Sequence, residues 1–272
     1  MEFVKWLVEE KKMDAEGKDC EGMTPFHFAS QSGNLEVMRW YVEEKKVDVD
    51  VKNLYGMTPL HDAVRTGKVE AVNWLVKEGK ADLTAVNSEG FTVLEYAVRF
   101  SRDLKTIKSI IEEINAERGW QSSRGEGVVH LAAMAGNLDL LKWLVEEKGV
   151  DIMSTTANSQ TLLHCAVTPY TGATWSISGS TDIVKWLVEE KKFDISARDR
   201  DGYTPLHQAV RSRNVEAVKW LAENGSDLFA LDRWEHTPTY YTEFNDHIWE
   251  LLRPVVPYEH EEEEEVDQSS IE

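Results

Sequence analysis

Histidine is the residue type whose number and spacing first suggest chemistry in this sequence. The chain has 272 residues with eight histidines and two cysteines. Histidines can bind metal ions or transfer protons, and a metal site needs several ligand atoms within about 2 Å of one ion. Five of these histidines (27, 61, 130, 164 and 207) instead recur along the chain. His27 and His61 are 34 residues apart, and so are His130 and His164. The spacing predicts a row of structural histidines, each tying a helix start to a neighbouring segment through hydrogen bonds.

The other residues with chemical potential form no recognisable catalytic signature. The sequence lacks a phosphate-binding G-x-x-x-x-G-K-[ST] loop and the H-E-x-x-H, G-x-S-x-G and C-x-x-C motifs. Cys20 and Cys165 fall in different parts of the repeat pattern, and two cysteines do not make a disulfide framework. We therefore expect no catalytic residue, no metal ion and no cofactor, and we expect that the protein is not an enzyme.

Two motifs recur in register and predict the elements that position these residues. Gly-Met-Thr-Pro-Phe-His-Phe-Ala at residues 22–29 returns as Gly-Met-Thr-Pro-Leu-His-Asp-Ala at 56–63, and Val-Lys-Trp-Leu-Val-Glu-Glu at 4–10 returns at 184–190. Thr followed by Pro favours a helix start, since proline at the first helical position loses no hydrogen bond. The second motif is apolar at helical spacing, with tryptophan on the apolar side. Each repeat is therefore predicted to be a helix pair whose apolar face is buried only by its neighbours.

These motifs and their period of about 34 residues resemble the ankyrin repeat. The resemblance implies a mainly α fold, in which stacked helix–turn–helix units with short β-hairpin fingers form a curved ankyrin-repeat solenoid with a concave binding face. It covers nearly the whole chain. The predicted ankyrin-repeat domain is residues 1–256, composed of a partial repeat 1–21, repeats 22–55, 56–89, 90–124, 125–158, 159–201 and 202–234, and a degenerate repeat 235–256; an acidic disordered tail, 257–272, follows.

The sequence departs from the family pattern at several places. The turn after the second helix is often one residue longer than the family's glycine turn, so we expect it to close differently. The third repeat has Glu95 where the others have histidine, and the fifth repeat has nine extra residues before its second helix. Tyr170 and Trp175 in that insertion are predicted either to form a lip over the concave face or to belong to a floppy loop.

Composition and charge narrow the classes of function. The chain is 42% hydrophobic and carries a net charge of −19, which argues against general nucleic-acid binding. It has neither an apolar stretch long enough for a membrane span nor a secretion signal at its start, so we expect a cytoplasmic protein, with the nucleus as the alternative compartment. We also expect a monomer. The acidic tail is interpreted as a solubilising segment, or alternatively as a tethered competitor for acidic partners.

The resemblance implies that the finger tips and the ends of the first helices face a partner. Seven of the 12 arginines but only two of the 18 lysines fall at these positions, together with several aromatic residues. Arginine and aromatic residues are enriched where interfaces bind most tightly, whereas lysine is depleted. The predicted partner-binding residues are Tyr55, Met57, Arg65, Phe91, Tyr96, Arg99, Phe100, Arg198, Arg200, Tyr203, Arg211, Arg233 and Trp234.

Two subsites are suggested within this set. The first would take a hydrophobic anchor and consists of Tyr55, Met57, Phe91, Tyr96 and Phe100. The second would hold a carboxylate or phosphate and consists of Arg198, Arg200, Arg211 and Arg233. The predicted function is a non-catalytic protein–protein interaction module or scaffold, whose partner is an acidic or phosphorylated segment with hydrophobic anchors. Two alternatives remain open: a regulatory subunit that inhibits an enzyme by occlusion, and a polyanion or phosphoinositide-headgroup binder that uses the arginine row.

Overall fold

The structure, a computed structural model, consists mainly of short paired helices. It describes residues 2–101, 103–114, 120–122, 125–168, 178–242 and 247–252. Within this part of the chain, six pairs each contain a first or inner helix and a second or outer helix. The pairs, numbered 1 to 6, are Pro25–Ser32 with Leu35–Glu43, Pro59–Arg65 with Val69–Lys77, Val93–Phe100 with Leu104–Glu113, Val128–Met134 with Leu138–Glu146, Leu162–Val167 with Ser178–Lys185, and Pro205–Arg211 with Val215–Glu223.

The inner helices begin as the Thr-Pro-x-His motif predicts. Thr24 has extended backbone angles, Pro25 takes the first helical position, and the N–H of Thr24 donates to Nδ1 of His27 at 3.1 Å. Because that bond makes Nδ1 an acceptor, Nε2 carries the proton and donates to the carbonyl of Met57 in the next finger at 3.2 Å. The histidine therefore joins one repeat to the next, as the sequence predicts.

The same contact recurs at three other signature histidines, whereas Nε2 of the buried His61 has no hydrogen-bond partner among the described residues. His130, His164 and His207 donate to the carbonyls of Ser154, Tyr203 and His236 at 3.1, 2.9 and 3.2 Å. In pair 3, Glu95 replaces histidine, and its carboxylate accepts the N–H of Thr92 at 2.8 Å. This carboxylate completes a capping box at the start of the helix, but it forms no such bond to any described residue of the next finger.

The outer helices present tryptophan to the core. Trp40, Trp74 and Trp143 are buried at equivalent positions of outer helices, and Trp186 is buried where a π-helix, Trp186–Glu190, continues the outer helix of pair 5. This burial confirms their predicted place on the apolar side, whereas Trp6 of the N-terminal motif is 40% exposed. Inner helices pack on inner helices and outer helices on outer helices of adjacent pairs, which produces one continuous apolar core. The geometry is that of a solenoid, since the buried face of each pair is covered by its neighbours.

The 34th residue of the longer repeats is accommodated where the outer helix ends. In pair 6 the N–H of Ser226 bonds the carbonyl of Leu221, five residues back. In pair 1 the N–H of Val47 bonds the carbonyl of Tyr41, six residues back. The longer turn places Lys46 in the left-handed region with φ of 57°. Lys12, Lys80 and Lys192 have the same conformation in equivalent turns, so these turns do close differently.

The fingers contain turns rather than the expected β-hairpins. Among the described residues only isolated bridges occur, at Val86 with Thr92 and at Gln121 with Gly127. The reason is local: Oδ1 of Asn53 accepts the N–H groups of Tyr55 and Met57 at 2.9 and 3.0 Å, so these donors are not available to an opposing strand. The side chains of Asp19, Asn87, Asp199 and Asp232 play the same part in other fingers.

Adjacent fingers are joined by single backbone hydrogen bonds. The N–H of Ser88 donates to the carbonyl of Tyr55 at 2.9 Å, and the N–H of Arg233 donates to the carbonyl of Asp201 at 3.0 Å. Gly56 has φ of 68°, and a Cβ there would lie 2.7 Å from the backbone nitrogen of Ser88. The finger therefore needs glycine both for its conformation and for the close approach of its neighbour.

Both ends of the described stack are shorter than a full pair. A helix at Glu2–Lys5, continued by a π-helix at Trp6–Glu10, precedes pair 1 and has no buried residue. A 3₁₀ helix at Pro238–Tyr241 and a helix at His247–Leu252 follow pair 6. The lip predicted from Tyr170 and Trp175 and the acidic tail at 257–272 lie outside the described residues.

Candidate partner-binding surface

The predicted binding residues form two groups, each anchored on fingers and inner-helix ends. The N-terminal cluster is defined as Tyr55, Met57, Phe91, Tyr96 and Phe100, with Arg65 and Arg99 beside it. The C-terminal cluster is defined as Tyr203, Arg211, Arg233, Trp234 and Tyr241, with Arg198 and Arg200 beside it. Each group takes its residues from adjacent repeats, which the backbone bonds between fingers hold in register.

The side chains of the N-terminal cluster differ widely in their exposure to solvent. Tyr55 is 56% exposed, whereas Met57 is only 8% exposed. The ring of Tyr96 lies 5.7 Å from His61 and 4.7 Å from Phe100, measured between centroids. Burial raises the pKa of the Tyr96 hydroxyl. Tyr55 is thus the most exposed ring of the cluster, while Met57 is buried.

The arginines of this region are held by neighbours. The guanidinium of Arg99 lies 3.9 Å from the centroid of Phe91, a close cation–π contact. Nη2 of Arg65 donates to Oδ1 of Asp62 at 3.0 Å. Oδ1 of Asp62 also accepts a hydrogen bond from Gln31 of the preceding inner helix at 3.0 Å. Asp62 thus connects the inner helices of pairs 1 and 2.

A depression of about 360 Å³ lies between the first three fingers beside these residues. We call it the Asp62 depression. Its lining is more polar than the apolar subsite that the sequence predicts, because carboxylates and amides surround the aromatic rings. It is lined by Glu21, Met23, Gln31, Asn53, Tyr55, Met57, Asp62, Arg65, Asn87, Ser88, Glu89 and Tyr96.

The aromatic rings of the C-terminal cluster, here called the ring stack, pack against one another in tilted and edge-to-face arrangements. Tyr203 is buried, and its ring lies 5.7 Å from both Trp234 and Tyr241. The hydroxyl of Tyr241 donates to Oδ2 of Asp232. Burial, together with this hydrogen bond, raises the pKa of Tyr241. Trp234 remains 48% exposed, so the stack presents one large apolar face to solvent.

Arginine side chains cover this stack but do not all have free guanidinium groups. Arg211 lies over Tyr203, 4.4 Å from the ring centroid. Arg233 pairs with Asp201, and Arg198 donates to the carbonyl of Leu231. Arg200 is exposed, and no described residue forms a hydrogen bond or an ion pair with its guanidinium. The four arginines predicted to clamp an anion are therefore differently engaged, with Arg200 and Arg211 the most available.

The signature histidines take no part in this surface. His27, His61, His130, His164 and His207 are buried, and burial lowers the pKa of each. The effect is largest for His61, whose pKa falls to about 4. Among the described residues, no three side chains of His, Cys, Asp or Glu lie close enough to hold a metal ion.

Neither cysteine takes part either. Cys20 is exposed and Cys165 is buried, and both are free thiols. Burial also raises the pKa of the Cys165 thiol.

Several site features were not read from the sequence. The Asp or Asn that begins each finger recurs at the repeat period, at positions 19, 53, 87, 199 and 232, and this recurrence could have revealed its turn-forming role. The hydrogen bond from Gln31 to Asp62 could not have been predicted in this way, because it joins two polar residues of adjacent repeats. No single-repeat motif contains it.

Comparison with known proteins agrees with this geometry. A model of ankyrin repeats, described as three copies, matches residues 29–118, 94–174 and 129–232, which together span well over half of the chain. The chain belongs to the ankyrin-repeat family. Ankyrin repeats are generally protein–protein interaction modules, although the match identifies neither the surface nor the partner of this chain. No curated protein sequence matches the chain significantly.

Solved structures show the same fold. The crystal structure of the human ASB11 ankyrin repeat domain is similar with a TM-score of 0.59 and 21% identity, covering 85% of this chain and 97% of that one. The ankyrin repeat domain of Bcl-3, described as a unique member of the IkappaB protein family, is similar with a TM-score of 0.54 and 24% identity, covering 86% of this chain and 99% of that one. At these identities the likeness concerns the fold. No helix in the described part of the chain has the length and apolar character needed to cross a membrane.

Proposed function

We propose that this chain is a non-catalytic interaction module that binds a partner protein through the arginine and aromatic side chains of its fingers and inner-helix ends. The observation that carries the proposal is the C-terminal cluster. Its rings are fixed by mutual packing and by the Tyr241–Asp232 hydrogen bond, yet Trp234 stays half exposed. A rigid, partly exposed aromatic face loses little conformational entropy on binding, which favours its use as an interface.

The chemistry of the cluster suggests the kind of partner. Arg211 lies over the rings of Tyr203 and Tyr241, and Arg200 is exposed on the same finger as Tyr203, in a chain of net charge −19. Guanidinium forms paired hydrogen bonds with carboxylate and phosphate groups. We therefore infer an acidic or phosphorylated segment, with an apolar side chain placed against Trp234.

A charge-reversal comparison tests this proposal. The native chain, the variant Arg200→Glu with Arg211→Glu, and the control Lys185→Glu with Lys219→Glu would each be used to capture partners from cell extract. The control makes the same change of charge at exposed positions of the outer helices. Circular dichroism melts would establish that all three proteins are folded.

The proposal expects captured proteins that are lost with the arginine variant and kept with the lysine control. Equal capture by all three would place the binding function elsewhere on the molecule. Repeating the capture between 50 and 300 mM salt, and with anionic lipid vesicles, addresses the polyanion alternative. A steep loss with salt and no preference among peptide sequences would favour that alternative.

A further inference from the structure

We infer that the Asp62 depression binds a basic side chain, a lysine ammonium or an arginine guanidinium, from the partner segment. The inference deepens the proposed function by assigning a second, oppositely charged subsite to the same interface. It requires only that the depression bind a cation, so it can be tested without the acidic ligand of the C-terminal cluster.

The charge of the lining is the first reason. Glu21, Asp62 and Glu89 contribute three carboxylates to the depression, and Arg65 is the single basic side chain in its lining. The remaining polar groups are three side-chain amides and the hydroxyls of Tyr55, Ser88 and Tyr96. A cation entering this space would meet an excess of negative charge, while an acidic side chain would be repelled.

An unpartnered oxygen of Asp62 is the second and independent reason. The Asp62 side chain is only 3% exposed. Its Oδ1 accepts hydrogen bonds from both Arg65 and Gln31, whereas Oδ2 is buried with no hydrogen-bond partner. A buried carboxylate oxygen without a donor is unfavourable. A donor brought by a ligand would relieve this, and a cationic donor would do so most strongly.

The surroundings of Asp62 suit the shape of a basic side chain. Tyr55 and Tyr96 line the same depression, and aromatic faces stabilise ammonium and guanidinium groups. Arg65 is held to Asp62 by one hydrogen bond of the i, i+3 type, and its side chain is 46% exposed. Arg65 can therefore swing towards solvent while an incoming cation takes its place beside the carboxylate.

Nuclear magnetic resonance titrations with small probes test the inference on the whole chain. The probes are Nα-acetyl-arginine amide and Nα-acetyl-lysine amide, with the neutral analogues Nα-acetyl-citrulline amide and Nα-acetyl-norleucine amide as matched controls. The backbone amide signals of Tyr55, Asn87 and Ser88 report on the depression. The inference expects saturable shifts with the two cationic probes and, because a charged hydrogen bond is lost, about tenfold weaker binding of the neutral ones.

Two variants act in opposite directions. Asp62→Asn should weaken binding of the arginine probe about tenfold, because the amide carries no charge. Arg65→Gln should strengthen it about twofold to fivefold, since it removes an intramolecular competitor of modest energy. Glu70→Gln is the control: it also replaces a carboxylate by an amide, but at an exposed position on an outer helix, and it should have no effect on binding. If Asp62→Asn fails to fold, the Arg65→Gln variant alone decides the matter.

Several outcomes would overturn the inference. They are equal binding of arginine and citrulline probes, shifts confined to residues outside the depression, or an Arg65→Gln variant that binds the cation no better. The Arg200→Glu, Arg211→Glu variant separates this result from the proposed function. It should lose the acidic partner and still bind the arginine probe at Asp62.

Discussion

At the scale of single residues, the neutral histidines make the fold sensitive to acid. His61 is fully buried, and its pKa of about 4 lies well below its ordinary value of 6.5. The unfolded chain therefore binds a proton at His61 between these pH values, whereas the folded chain does not. Stability is fully present above pH 6.5 and falls as the pH drops towards 4.

This difference predicts the behaviour of a single variant. Between pH 7.5 and 5.5, His61 should contribute about 1 kcal/mol to the loss of unfolding free energy. His61→Gln removes that titration, and glutamine can still cap the helix start, as Glu95 does in pair 3. Urea unfolding of both proteins at the two pH values measures the effect. A variant that loses as much stability as the native chain would contradict the prediction.

Residue roles differ in how far the sequence could predict them. The structural histidines and the buried tryptophans were predictable, because each repeats with the period of the helix pair and has a role defined within one repeat. The partnered state of Arg233 and the polar lining around Asp62 were not. These depend on which side chains from adjacent fingers meet, and spacing alone does not give side-chain direction.

At the scale of elements, the ends of the outer helices carry backbone strain. Lys46 has a left-handed conformation, which costs a residue with a Cβ about 1–2 kcal/mol. Lys46→Gly removes this strain and loses part of the gain through the greater entropy of glycine in the unfolded chain. We expect the unfolding free energy to rise by about 0.5–1 kcal/mol, measured by urea unfolding at pH 7.5.

The equivalent turn of pair 4 supplies the reverse experiment. Gly149 already occupies this position with φ of 66°, and no atom lies within 4 Å of where its Cβ would be. Gly149→Lys should therefore destabilise the protein by a similar amount through backbone conformation alone. If both substitutions change stability in the same direction, strain in the turn is not the cause.

The helices and the fingers also differ in how predictable they were. The Thr-Pro starts and the apolar face around Trp74 predicted the helix pairs, and the structure confirms them. The β-hairpin form of the fingers came from the resemblance; in the described residues the fingers have tight turns and isolated bridges without extended strands. Side chains such as Asn53 bind the finger's backbone N–H groups themselves, so short turns form instead.

At the scale of the whole molecule, stability depends on neighbours, because each pair is buried only by the pairs beside it. Leu75 in the outer helix of pair 2 is fully buried, with pairs on both sides. Leu7 holds the same place in the Trp-Leu-Val motif of the N-terminal segment, but it is only partly buried. Trp6 beside it is 40% exposed.

These two leucines provide a matched comparison of the same substitution. Leu75→Ala should lower the unfolding free energy by about 2–5 kcal/mol, since it leaves a cavity inside the stack. Leu7→Ala should lower it by clearly less, about 1 kcal/mol, because the Leu7 side chain is only partly buried. Hydrogen exchange tests where in the chain the stability is lost. The backbone amides of residues 2–10 should exchange faster than those of pairs 2 to 4. Leu7→Ala should accelerate exchange only near the N-terminal segment. Equal losses of stability, or uniform exchange along the chain, would mean that the stack unfolds as one cooperative unit and that its N-terminal end is not a weak point.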